Sequence, residues 1–276
     1  MGSEMCIRDR GNTLEDDKNP PLLKMVNISK RFGAVQALKR VSLTLHRGEV
    51  LGLVGDNGAG KSTLIKILVG IYPPDEGEIY FEGKKVLFSS PLEARMAGIE
   101  TVHQNLALVD IMSVMRNFYL GREIYKGGPF RFLCKKRMSE ECMKRLSEIG
   151  IHIRSPEEPV SVLSGGERQA IAIARAIHFG AKLLVLDEPT AFLSVKETRK
   201  VQDIVMDAKK RQISCIFITH NIWHVYEVAD KFMILNRGVK LGEFYKEDVT
   251  PDDIAEIIAK GYIPSRLERF QIKEEL

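Results

Sequence analysis

The sequence predicts an α/β protein built on a mostly parallel sheet, and three observations predict it. From Ser164 onward, short apolar runs alternate with helix-period segments, which calls for parallel strands joined by crossover helices. Val50-Leu51-Gly52-Leu53-Val54 is a nearly continuous apolar run, as a strand buried on both faces requires. A glycine-rich segment ending in Lys61-Ser62-Thr63 separates that run from a helical stretch, the context of a phosphate-binding loop.

The elements follow in order. Residues 1–19 are polar, carry a second methionine at Met5 and have no apolar core, so they are not a secretory signal. They read as a disordered tail or a cloning or assembly artefact, leaving 20–276 as one domain. Residues 22–29 and 41–45 alternate as strands, with a turn or short strand around Gly33 between them. Residues 61–70 predict a helix closed by Gly70 and Pro73-Pro74. Residues 78–81 and 85–87 predict a hairpin across Glu82-Gly83-Lys84. The segment 107–161 reads as mostly helical and forms a subdomain of its own. Beyond it come a helix after Ser164, strands at 183–186, 216–219 and 232–235, and helices at 195–211 and 224–229.

Composition excludes several classes. The chain has 276 residues, 44% of them hydrophobic, ample for a large core. Its formal net charge is +4, only mildly basic. The cluster Arg131, Lys135, Lys136 and Arg137 is followed at once by Glu140 and Glu141, so it reads as a solvated helix face and not a nucleic-acid patch. The longest apolar run is five residues, Ala170 to Ala174, against about 20 for a membrane span. Four cysteines (Cys6, Cys134, Cys142, Cys215) form no CxxC pair, which argues against zinc and against a disulfide framework.

The chemistry begins with Gly55-Asp56-Asn57-Gly58-Ala59-Gly60-Lys61-Ser62-Thr63, which fits GxxxxGK[ST]. Its glycines let successive backbone N–H groups turn inward around a phosphate, and the following helix adds its positive dipole end. Lys61 supplies a charge to the β/γ-phosphates, and Ser62 offers a hydroxyl to Mg²⁺. Leu183-Leu184-Val185-Leu186 ends in Asp187-Glu188. Beside a phosphate loop, Asp187 suits the Mg²⁺ shell and Glu188 suits the base that polarises an attacking water. Leu163-Ser164-Gly165-Gly166-Glu167 opens the next helix. Ser164 and Glu167 fit a capping box, so a well-capped helix is one reading. Capping alone does not explain Gly165 and Gly166, whereas an anion approaching bare backbone does.

With these residues in place, the chain resembles the ATP-binding cassette (ABC) family, whose signature reads LSGGQ and here ends in Glu167. The resemblance covers about residues 22–238 and implies a P-loop NTPase core, an N-terminal antiparallel β subdomain and an inserted helical subdomain. It implies that Ser164, Gly165 and Gly166 act in trans, on ATP held by the phosphate loop of a second chain in a head-to-tail dimer. It implies further that Phe32 stacks on adenine, that Gln104 links Mg²⁺ and the attacking water to the helical subdomain, and that His220 contacts the γ-phosphate. A core phenylalanine, an exposed loop glutamine and a structural histidine are the plain alternatives for those three. One position departs: the family loop commonly reads SALD, and here Ala191-Phe192-Leu193-Ser194 puts serine where the aspartate stands.

The stretches from Glu188 to Glu197 and from Thr219 to Asp230 are similar to the ATPase subunits of bacterial simple-sugar importers of the ribose, xylose and fructose type. That resemblance implies a dimer of identical chains on the cytoplasmic face of the membrane. It implies a membrane permease above that dimer, and beyond it an extracytoplasmic sugar-binding protein. About 40 residues follow the last predicted core strand, too few for a second cassette. A soluble ABC ATPase, or one serving another transported substrate, is the alternative.

Overall fold

The computed structural model describes residues 20–127 and 132–272, so residues 1–19 and Arg131 lie outside the described part. Strands β1 (Leu23–Phe32) and β2 (Val35–Leu45) form an antiparallel hairpin turning at Gly33-Ala34. The turn expected around Gly33 is present, and both strands run up to it, longer than the alternation predicts. After β3 (Val50–Val54) comes α1 (Lys61–Leu68). The predicted hairpin is present as β4 (Glu76–Phe81) and β5 (Lys84–Val86), and with the first two strands it makes a sheet of order β2-β1-β4-β5.

Two elements then appear that the sequence reading left unassigned. Helix α2 (Pro91–Ala97) is capped by Ser90, starts with proline and ends at left-handed Gly98. Strand β6 (Ile99–Val102) carries the buried Glu100, a charge that conceals its apolar pattern.

The stretch 107–161 is less helical than predicted. Among the described residues it holds α3 (Val114–Phe118), α4 (Lys135–Glu148) and a 3₁₀ turn at Val160–Val162. Buried Asn117 is the reason a loop suffices before α3. Its amide accepts from the Val109 N–H at 2.7 Å and donates to the carbonyls of Val109, Met112 and Ser113. Those loop groups would otherwise need a helix to satisfy them. Both helices pack on α5 (Gly165–His178).

The rest follows as β7 (Leu183–Asp187), α6 (Val195–Lys210), β8 (Ser214–Ile218), α7 (Ile222–Tyr226), β9 (Lys231–Asn236), β10 (Val239–Tyr245), α8 (Pro251–Lys260) and α9 (Ser265–Glu268). Helix α7 starts earlier than expected because Asn221 caps it, its side chain accepting from the His224 N–H. The second sheet has order β10-β9-β3-β8-β7-β6, parallel except for β10.

Alternation across this sheet explains the apolar runs. Leu51, Leu53, Val185, Ile216, Ile218, Met233 and Leu235 join the core beneath the first sheet and α1. Val50, Val54, Leu184, Leu186, Cys215, Phe217, Phe232 and Ile234 join the core beneath the remaining helices. Strands covered on both faces need apolar side chains on both. All five parallel strands therefore end at one edge, where ligands bind in such sheets.

Candidate active site

Strand β3 lies at the centre of that edge and delivers the phosphate loop. Gly55 has φ +148°, and a Cβ on it would stand 2.2 Å from the Leu235 carbonyl oxygen, so no side chain fits. Lys61 is buried, and its Nζ donates to the carbonyls of Gly55 at 2.6 Å and Asp56 at 3.0 Å. Burial pulls its pKa down, while the carboxylates of Glu188, Asp56 and Asp187 pull the other way.

Two strands away, β7 ends at Asp187. Burial raises the pKa of this carboxyl, opposed by nearby His103. Glu188 follows with φ +50°, a left-handed conformation that costs a non-glycine residue about 1–3 kcal/mol. Its environment over-determines that geometry. The Glu188 N–H donates to the Ile218 carbonyl at 2.9 Å. Its carboxylate accepts from the Thr219 hydroxyl at 3.0 Å and the His220 N–H at 3.0 Å, and lies 2.8 Å from His220 Nδ1. The turn after β8 thus holds the Glu188 side chain from three sides.

A cleft of about 680 Å³ brings Asn57, Gly58, Ala59, Gly60, Lys61, Ser62 and Thr63 together with Gln104, Asp187, Glu188 and His220. Gly55 and Asp56 contribute carbonyls to Lys61 instead of lining it. Among the described residues no group of three His, Cys, Asp or Glu side chains is placed to hold a metal ion. The hydroxyl of Ser62, the amide of Gln104 and the carboxylate of Asp187 nevertheless form a hard oxygen set, which fits Mg²⁺ with phosphate and water completing its shell.

Besides Gly55 and Asp56, four predicted site residues lie outside this lining. Phe32 ends β1, is 41% exposed and packs edge-on against Tyr72 with ring centroids 5.1 Å apart. The next residues of its hairpin, Val35, Gln36 and Ala37, line the cleft in its stead. Ser164, Gly165 and Gly166 start α5. Ser164 and Glu167 form the capping box, with the Ser164 N–H donating to Glu167 Oε2 at 2.9 Å. Gly165 lines a second recess, shared with Gln104, Phe192 and Leu193. The Gly166 N–H donates to Glu197 Oε1 at 3.1 Å, and a Cβ on Gly166 would stand 2.6 Å from Glu197 Cγ. Ser194, the departing position, caps α6 through a second capping box with Glu197.

Sequence reasoning missed Val35, Gln36, Ala37, Ile218 and Arg237, which also line the cleft. Only Arg237 carried a signal, as part of the turn Asn236-Arg237-Gly238. It also missed His224, whose Nδ1 lies 3.0 Å from the Thr190 hydroxyl and whose Nε2 lies 3.2 Å from Asn221 Nδ2. Burial lowers its pKa, and its two ring nitrogens bridge the loops that carry Thr190 and Asn221.

Comparison with known proteins finds relatives across most of the chain. A family model described as ABC transporter matches residues 38–191. The xylose/arabinose import ATP-binding protein of Sulfolobus acidocaldarius is 47% identical over 237 residues, covering 86% of this chain and 93% of its own. The fructose import ATP-binding protein of Rhizobium meliloti is 45% identical, covering 89% and 96%. Against the ribose import ATP-binding protein of Caldanaerobacter subterraneus subsp. tengcongensis, 42% identical, the chain spans about half (47%) of that protein. Among solved structures, the ADP conformation of an ATP-binding cassette of an ABC transporter superposes with a TM-score of 0.74 at 26% identity, over 87% of this chain and 95% of that one.

Proposed function

The chain belongs to the ABC transporter family, and on that premise we propose that it is the ATP-hydrolysing subunit that powers import of a simple sugar. The observation that carries the hydrolytic part is Glu188, held 2.8 Å from His220 Nδ1 and lining one cleft with the phosphate loop. The names of its sugar-import relatives support the choice of substrate class.

In this reading the backbone N–H groups of Asn57, Gly58, Ala59 and Gly60 cradle the β-phosphate, while Lys61 turns to the β/γ-phosphates and Thr63 adds its hydroxyl. Ser62, Gln104 and Asp187 would hold Mg²⁺, which would supply positive charge to offset that of the phosphate oxygens. Glu188 accepts a proton from the attacking water. The water oxygen bonds to the γ-phosphorus, the bond to the β–γ bridging oxygen breaks, and ADP leaves with that electron pair. His220 holds Glu188 in place and reaches the γ-phosphate. Phe32, at the end of its hairpin, stacks on adenine. Ser164, Gly165 and Gly166 serve the ATP of a second copy of this chain, consistent with their position outside the cleft.

The dimer works on the cytoplasmic face of the membrane beneath a sugar permease, which an extracytoplasmic sugar-binding protein supplies. Among the described residues no helix is long and apolar enough to cross a membrane, so the reading makes the chain peripheral. The test is phosphate release from ATP in the presence and absence of Mg²⁺. We expect Mg²⁺-dependent turnover, and Lys61→Ala reduced to background, because a charge-assisted phosphate contact is lost. Turnover by Lys61→Ala at the parent rate would overturn the assignment.

A further inference from the structure

We infer that Arg237 is a second cation of the nucleotide site, pairing with the phosphate nearest the nucleoside; this rests on the ATPase reading above. The argument starts from the direction in which a nucleotide must lie. Glu188 and His220 mark the end of the cleft where the terminal phosphate is attacked, and Lys61 stands with them. The remaining wall is made by Val35, Gln36 and Ala37, which carry no charge and suit a nucleoside. The phosphate chain therefore runs along the phosphate loop, from Glu188 toward the β1–β2 hairpin.

Arg237 stands where those two walls meet. Its turn joins β9 to β10 and is stitched to both. The Gly238 N–H donates to the Ala59 carbonyl at 2.9 Å, and the Lys39 N–H donates to the Gly238 carbonyl at 2.8 Å. The fit is tight: with φ +77°, Gly238 would put a Cβ 2.5 Å from the Ala37 carbonyl oxygen. Arg237 is itself left-handed at φ +46° and lines the same cleft. Lys231, by contrast, is buried and paired with Glu49 and Glu243. Arg237 has no hydrogen bond or ion pair to any described residue, and so leaves its five donors for a ligand. A guanidinium beside the junction of nucleoside and phosphate chain matches a phosphate in charge and in fork geometry.

The test is affinity for ATP, ADP and AMP, the last by competition against a fluorescent ADP analogue, for the parent chain and for Arg237→Ala and Arg237→Lys. Arg237→Asn serves as the fold-safe variant, since asparagine tolerates the left-handed region. We expect Arg237→Ala and Arg237→Asn to weaken all three nucleotides by a similar factor of ~10 or more, the usual weight of a hydrogen bond to a charged group. Arg237→Lys should recover part of it. Unchanged ADP affinity in both neutral variants would overturn the inference, and so would a loss confined to ATP, which would put the contact at the γ-phosphate. A parent chain that binds no nucleotide at all would instead sink the ATPase reading on which the inference stands.

Discussion

At the scale of single residues, the site is set by side chains whose geometry is fixed before any ligand arrives. Glu188 is the clearest case. Its carboxylate is held by Thr219 and His220. Glu188→Gln preserves shape and an acceptor oxygen for His220 while deleting the charge that takes a proton from water. Rapid-quench measurement should find nucleotide binding retained and hydrolysis slowed by ~10²–10⁴-fold, the usual weight of a positioned base; near-parental turnover would remove Glu188 from that role. Glu197 yields a pH prediction. Its carboxylate accepts from Ser194 and from the Gly166 N–H, which holds its pKa at about 2 against an ordinary 4.5. A depressed carboxylate stabilises the fold above pH 4.5, and that contribution is lost as pH falls toward 2. Urea titrations across that window should show Glu197→Gln with a flatter acid dependence than the parent. At this scale the sequence was most legible where backbone chemistry restricts residue choice, as at Gly55, Lys61 and the pair Asp187-Glu188. Arg237 was legible only as part of a turn, and Glu197 only as the local capping partner of Ser194. The place of Arg237 at the cleft and the Gly166–Glu197 bond join segments distant in the chain, which no local pattern records.

At the scale of elements, strands buried on both faces announced themselves, because two cores demand unbroken apolar runs. Strand β6 did not, since Glu100 interrupts it. The structure explains that charge. Arg122 donates from Nη2 to Glu100 Oε1 at 2.6 Å and lies over the Phe179 ring at 4.5 Å. Arg95 approaches the other Glu100 oxygen at 3.4 Å. This ion cluster ties the chain after α3 to the sheet strand that leads into Gln104. Arg122→Ala leaves Glu100 buried with a single, longer partner, and should cost about 1–3 kcal/mol in chemical denaturation. Because the cost is an unpaired charge, adding Glu100→Gln should recover much of it. Purely additive losses in the double-mutant cycle would show that the two do not act as a pair. The segment 107–161 was misjudged for a related reason: buried Asn117 satisfies loop backbone that a sequence pattern assigns to helix.

At the scale of the whole molecule, the separation of Ser164, Gly165 and Gly166 from the phosphate-loop cleft has a consequence for assembly. A signature that serves phosphate must find it on a second chain, so ATP should hold two copies together. Glu188→Gln, unable to clear its ATP, should shift to dimer mass on ATP addition in light scattering. A monomer at every ATP concentration would count against the head-to-tail arrangement. Dimerisation alone moves nothing across a membrane, and the proposed importer role predicts that the segment between Gln104 and α5 transmits it. That segment exposes Ile111 at 88%. It is tied to the core through Arg122 and Glu100, and to α5 by helix packing, which predicts that closure of a dimer turns it as one body. ATP drives that motion only if it binds the closed form better than the open one. The decisive variants are then exposed side chains without structural partners, Ile111→Asp and Arg116→Glu. Both should leave ATP hydrolysis by the isolated chain near parental levels while lowering sugar uptake in cells several-fold. Intact uptake in both variants, with folded protein at normal abundance, would mean that this face does not meet the permease, and that coupling runs through another surface.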